Sequence, residues 1–212
     1  MPDTCACGNA LDATHLLCCK QGDSAWLLRH NTLQLSLAGL ARVHGLPIEQ
    51  NVRRSFEDAQ LKSKSLEPDA ILYFPDKPLW VDLTVVEPVG PSIVSRNLID
   101  VGDAMGAKAD LKNAKYFSKA RSMDADFVPL VVETHGRFHG DFVALLRRLA
   151  RQLDGYHGLT AREMSVLLNM DLVKGNAAHA AKVKCRVWKA WHKNKQKAEQ
   201  HNGQASQAGN AR

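Results

Sequence analysis

No apolar run in this 212-residue chain approaches the roughly 20 residues that a membrane-spanning helix requires, and Met1-Pro2-Asp3 opens without a basic and apolar leader. A soluble, intracellular protein without membrane partners is expected. Cysteine is missing from the whole middle of the chain: Cys5, Cys7, Cys18 and Cys19 crowd the first twenty positions, and only Cys185 lies elsewhere. Neighbours that close staple a domain poorly, which argues against a disulfide framework and for metal ligation. Nor is charge lopsided. Lys and Arg number 28 against 22 Asp and Glu, a formal net charge of +6 that favours an anionic partner without identifying one. With 45% hydrophobic residues, a chain of this length can bury one sizeable core, so one main domain with small appendages is expected.

What is present is most informative at two acids. Asp69 lies in Glu67-Pro68-Asp69-Ala70-Ile71-Leu72-Tyr73-Phe74, and Asp82 in Leu79-Trp80-Val81-Asp82-Leu83-Thr84-Val85-Val86. Both runs are apolar and β-prone. A carboxylate in a half-buried strand costs free energy unless something pairs with it, so two in adjacent strands suggest a shared cation, the arrangement a nuclease uses. The candidate structural metal site is Cys5-x-Cys7-x7-His15-x3-Cys19. Thiolate and imidazole are the ligands of tetrahedral Zn²⁺, and Gly8 lets the chain bend back after the first pair. Cys18 in place of Cys19, a contribution from His30, and ordinary reduced thiols remain open from the spacing alone.

The pattern along the chain predicts a mixed α/β protein. Trp26 to His44 carries a helical apolar pattern closed by Gly45 and Pro47. Pro47 to Arg53 reads as a short edge strand and Ser55 to Ser65 as a loop. Ala70–Phe74 and Leu79–Val86, joined by Pro75-Asp76-Lys77-Pro78, read as an antiparallel hairpin. Alternation on the second strand places Trp80, Asp82, Thr84 and Val86 on one face, with Val81, Leu83 and Val85 on the other. After the Gly90-Pro91 break, Ser92 to Met123 reads as a helix with Lys108, Lys112, Lys115 and Lys119 on one stripe. Phe127 to Glu133 reads as a strand, and Asp141 to Leu153 as an amphipathic helix. His135-Gly136-Arg137-Phe138-His139-Gly140 reads as a turn between them.

Taken together, Cys5-x-Cys7-Gly8, His15-x3-Cys19, Arg29-His30-Asn31, Pro68-Asp69, Asp82 and Lys112-x3-Tyr116 resemble the C-terminal region of site-specific non-LTR retrotransposon polyproteins. There a small cysteine and histidine motif precedes a restriction-like endonuclease of the PD-(D/E)XK superfamily. The resemblance covers about Cys5 to Leu153. It implies a restriction-endonuclease-like mixed sheet flanked by helices, with a zinc motif over 1–25, the nuclease domain over 26–155, a helical basic extension over 156–199 and a disordered tail over 200–212. By the same resemblance Asp69 and Asp82 match the Mg²⁺ (or Mn²⁺) ligands. The lysine that the superfamily places two positions after the second acid is Thr84 here, and the retrotransposon branch draws it from the next helix, matching Lys112 and Tyr116. Lys115, directly before Tyr116, competes for that role. The implied reaction is nicking of target DNA for target-primed reverse transcription, in the nucleus, with RNA and a reverse transcriptase domain of the same element as further partners. No Asp-Asp pair of the reverse-transcriptase kind is present.

The residue types suit that chemistry. Phosphodiester hydrolysis needs an activated water and relief of charge on the phosphoryl oxygens, which a hard cation on two carboxylates supplies. A lysine nearby adds a compact positive charge, and Tyr116, one turn on, is placed to orient it or to meet a phosphate. Further on, Thr160 with Glu163 marks a helix start, and a last helix is expected from Ala177 to about Lys193. From Lys182 the chain is basic, with Trp188 and Trp191 interleaved, so Lys184, Trp188 and Lys189, together with Lys108 and Lys119, are candidate nucleic-acid contacts. A catalytically inactive binding relic is the alternative reading.

Overall fold

The computed structural model describes residues 3–5, 7–19, 25–51, 68–88, 103–152 and 158–209, with backbone alone at 25, 103 and 200–209. Its elements are α1 (Ala13–Cys18), α2 (Ala25–Val43), β1 (Ile48–Gln50), β2 (Ala70–Tyr73), β3 (Pro78–Val86), α3 (Asp103–Ser122), β4 (Asp126–Glu133), α4 (Gly140–Ala150) and α5 (Ala161–Gly209). The loop expected over Ser55–Ser65, the Gly90-Pro91 break and the first turns of the helix expected from Ser92 lie outside the described residues.

The four strands form one mixed sheet in the order β1-β2-β3-β4, flanked by helices on both faces. β1, β2 and β3 are antiparallel neighbours, and β3 pairs with β4 in parallel through the crossover that contains α3. A parallel pair cannot be joined by a tight turn, which is why a helix intervenes here and a four-residue proline-bearing link suffices between β2 and β3. Pro129 falls in β4, which pairs with β3 alone among the described strands and so tolerates the missing N–H.

Alternation along β3 divides the core as its sequence dictates. Leu79, Val81 and Leu83 join Ala70 and Leu72 beneath α2, α4 and α5, where Leu33, Leu37, Phe142, Leu145, Leu146, Leu149, Met164, Leu168 and Leu172 meet. On the other face Trp80 packs with Ile71, Tyr116 and Phe127, and Val86 with Ala104, Met105 and Val131, beneath α3. At about 2 kcal/mol for each fully buried side chain, the four buried residues of α4 account for its docking.

The C-terminal third departs from expectation. In place of two separate helices, α5 runs unbroken from Ala161 to Gly209, started by the expected capping box: Glu163 N–H donates to Thr160 Oγ1, and Thr160 N–H donates to the Glu163 carboxylate. Gly175, which invites a break, instead marks a close crossing, since a Cβ there would sit 2.9 Å from Arg29 Cα of α2. The first half of α5 is therefore part of the main core rather than an appended extension. Backbone over 200–209, expected to be disordered, continues the helix. Among the described residues no helix is long and apolar enough to cross a membrane.

Candidate functional site

Asp69 and Asp82 converge. The β2–β3 register pairs Ala70 with Val81 and Ile71 with Trp80, so one step further sets Asp69 opposite Asp82. Both carboxylates line one cleft of about 370 Å³ with Trp26, His30, Leu83, Thr84, Lys108, Leu111 and Lys112. Asp82 is only 4% exposed, and the Lys112 ammonium of α3 closes onto its Oδ2 in an ion pair. That oxygen has no hydrogen-bonding partner beyond the ammonium. Asp69 Oδ2 accepts from the Leu83 N–H at 2.6 Å and from His30 Nε2 at 3.0 Å. Both of these bonds fall on Oδ2 and leave Oδ1 for a ligand.

His30 is the residue that spacing alone left unassigned at this cleft. It sits on α2, one turn after Trp26, and reaches across 39 positions of sequence to Asp69. Burial, the largest single influence, works against its charge. The hydrogen bond and negative charge of Asp69, with the Asn31 side chain and the charge of Asp82, outweigh it and hold the imidazole above its ordinary pKa. His30 and Trp26 also wall a second cavity of about 430 Å³ that runs back to Cys18 and Cys19.

Lys112 and Lys115 separate cleanly. Lys112 meets Asp82, whereas Lys115 Nζ donates to the neighbouring Tyr116 hydroxyl at 2.7 Å and does not line the cleft. Tyr116 itself is 1% exposed, its ring stacked on Phe127 at 5.0 Å between centroids. Four positions from Lys112 it shares a helix flank, but the apolar sheet face at Trp80 takes the ring, and the expected contact with phosphate gives way to packing. Lys108 lies exposed at the cleft mouth; Lys119, three turns further along α3, is outside it. Lys184, Trp188 and Lys189 are exposed on α5.

The second cluster joins Cys5, Cys7, His15 and Cys19, whose ligand atoms all lie within 4.8 Å of one another and can hold a metal such as zinc. Its geometry follows from two short devices. Gly8, at φ +87°, turns the chain so that its N–H donates to the Cys5 carbonyl while Cys5 N–H donates to Asn9. Asp12 then caps α1 by accepting from His15 N–H, and Cys19 ends it with its N–H on the His15 carbonyl. Cys5 and Cys19 sulfurs are 3.6 Å apart, too far for a disulfide. A tetrahedral zinc with bonds of about 2.3 Å spaces two thiolates by roughly 3.8 Å. Cys7 Sγ lies 3.3 Å from His15 Nε2. The Asn9 backbone N–H, helped by its side chain and by Cys5 and Cys19, holds the Cys7 thiol below its ordinary pKa. Cys18 is outside the cluster, bonded to the His15 carbonyl, and burial with the nearby Glu87 and Asp12 charges pushes its thiol up. His30 belongs to Asp69 rather than to the thiols.

His139, in the turn assigned no chemistry, caps α4 by accepting from Asp141 N–H. No family model matches this chain, and no curated protein sequence is significantly similar to it.

Proposed function

We propose that the protein is a metal-dependent endodeoxyribonuclease of restriction-like architecture that nicks one strand of target DNA. The observation that carries the reading is the opposition of Asp69 and Asp82 across an antiparallel pair, with the Lys112 ammonium between α3 and the sheet. Like charges set directly opposite one another cost stability. A site that keeps two of them needs positive charge: Lys112 supplies it to Asp82, and His30 supplies it to Asp69 only while its imidazole is protonated.

Mg²⁺ or Mn²⁺ fits the remainder, being a hard cation that takes carboxylate oxygens, with Asp69 and Asp82 as its protein ligands. Such an ion supplies a water of lowered pKa and neutralises charge on the phosphoryl group. The chain's own groups do the rest. Leu83 N–H and His30 fix Asp69 Oδ2, which leaves Oδ1 as the oxygen for the ion. Lys112 places a compact charge beside the reacting phosphate, and Lys108 at the mouth attracts the DNA backbone. The Cys5–Cys7–His15–Cys19 cluster holds structural zinc.

The resemblance to the C-terminal region of non-LTR retrotransposon polyproteins extends this reading to nicking for target-primed reverse transcription, in the nucleus, beside RNA and a reverse transcriptase domain of the same element. One observation favours a second reading, an inactive nucleic-acid-binding relic: Thr84 stands two positions after Asp82, where the superfamily carries its lysine. Incubating the protein with supercoiled plasmid and Mg²⁺ or Mn²⁺ separates the two. Nicked circles from the wild type, and none from Asp69→Asn or Asp82→Asn with DNA binding retained, support the enzyme. DNA binding without nicking in either metal supports the relic, and equal nicking by all three proteins refutes both assignments of the acids.

A further inference from the structure

The second half of α5 carries seven Lys and Arg residues between Lys182 and Lys197 and no acid. Helical geometry sorts them. At about 100° per residue, Lys182, Arg186, Lys189, Lys193 and Lys197 fall within one narrow row at spacings of four, three, four and four. Lys184, Trp188, Trp191 and Lys195 fall on the opposite flank. That flank is busy with itself: the Trp188 and Trp191 rings both lie against His192, and Lys195 sits over Trp191 and pairs with Glu199. The row is different. Lys182, Lys189, Lys193 and Lys197 are exposed and have no acidic partner among the described residues.

The seam between the two flanks is anchored. Val183 and Val187 are buried against Cys5 and Cys19, with Leu11 and Leu16 packed around them. The cysteine and histidine knuckle therefore grips α5 where the basic row begins, and the row projects from a fixed point rather than from a free tail.

We propose that this row is a docking rail for duplex DNA, holding the phosphates of one strand while the acid cleft works on the substrate. The inference rests on the nuclease reading for its choice of DNA, and charge complementarity carries the rest. From Lys182 to Lys197 the rail spans about 22 Å, roughly six base-pair steps of duplex. A straight line of cations with no aromatic ring among them suits a regular phosphate backbone, whereas single strands are held by rings on which bases stack. Anchoring at Val183 and Val187 orders the rail before DNA arrives, which lowers the cost of binding.

The test uses full-length protein carrying Asp82→Asn, so that nothing is cut, and a fluorescent duplex titrated at several KCl concentrations. Lys189→Gln/Lys193→Gln on the rail is compared with Lys184→Gln/Lys195→Gln on the other flank, each removing the same charge, with equal helix content checked by circular dichroism. The rail pair is expected to lower the slope of log affinity against log salt by about 2, irrespective of duplex sequence, and the control pair by under about 0.5. Equal slope changes in the two pairs, or none in either, overturn the proposal, as does a rail effect seen with single-stranded but not duplex DNA. The result is independent of catalysis: loss of plasmid nicking with an intact rail effect sinks only the nuclease, and nicking with a flat rail response sinks only the rail.

Discussion

Replacing Lys112 with methionine leaves the Asp82 carboxylate, 4% exposed, without the one positive charge that meets it. Removing one partner of a buried ion pair costs about 3–5 kcal/mol, because the surviving charge stays desolvated. Here the lysine side chain is 27% exposed at an open cleft, so water can reach the stranded carboxylate, and the cost falls below that range to about 2–3 kcal/mol. For a chain of this size that lowers the melting temperature by roughly 5–10 °C. The effect belongs to the pair, so Lys112→Met/Asp82→Asn should recover at least about half of the loss, the amide being cheaper to bury than an unpaired carboxylate. Urea unfolding of wild type, single and double variants, followed by circular dichroism without added divalent metal, measures both quantities. A single variant within about 0.5 kcal/mol of wild type, or a double variant no more stable than the single, would show that the ammonium does not compensate Asp82.

Purified protein should hold about one equivalent of zinc, lost in Cys19→Ser and retained in Cys18→Ser, as metal analysis reads directly; the reverse pattern would reassign the fourth ligand. Since the folded-state pKa of His30 is raised, its contribution to stability is complete below the ordinary histidine value of 6.5 and disappears as pH climbs through the folded value. The stability gap between wild type and His30→Gln should therefore narrow from about pH 5.5 to pH 9, and urea midpoints that stay parallel or diverge upward contradict the Asp69 pairing.

The hairpin and the placing of both acids at one cleft were legible because short-range rules govern them. Two prolines in a four-residue link and strict alternation along β3 leave few other arrangements. Asp82 stood out because an acid within an apolar strand has no cheap place to go. Long-range partners left no such trace. His30 sits in an ordinary helical run, and nothing local announces that it meets Asp69 across the cleft. Nor did anything local tell that Gly175 sits at a helix crossing: its lack of a side chain makes room for Arg29 of another helix. Tyr116 had the right spacing from Lys112, yet competition between cleft and core was decided by the apolar face of Trp80 and Phe127. Which of two lysines three positions apart met the acid followed from that choice, because the buried phenol claims Lys115.

The parallel pairing of β3 with β4 obliges the polypeptide to travel the length of the sheet and return before the last strand can zip up, and α3 lies on that return path. Both acids are in place once the early hairpin exists, but the ammonium that faces them arrives only with the crossover. A nascent chain still on the ribosome, or a fragment clipped ahead of α3, thus holds an incomplete centre. On the nuclease proposal, such a species would lack the lysine that faces Asp82, so the cleft would be assembled only when the tertiary fold is complete.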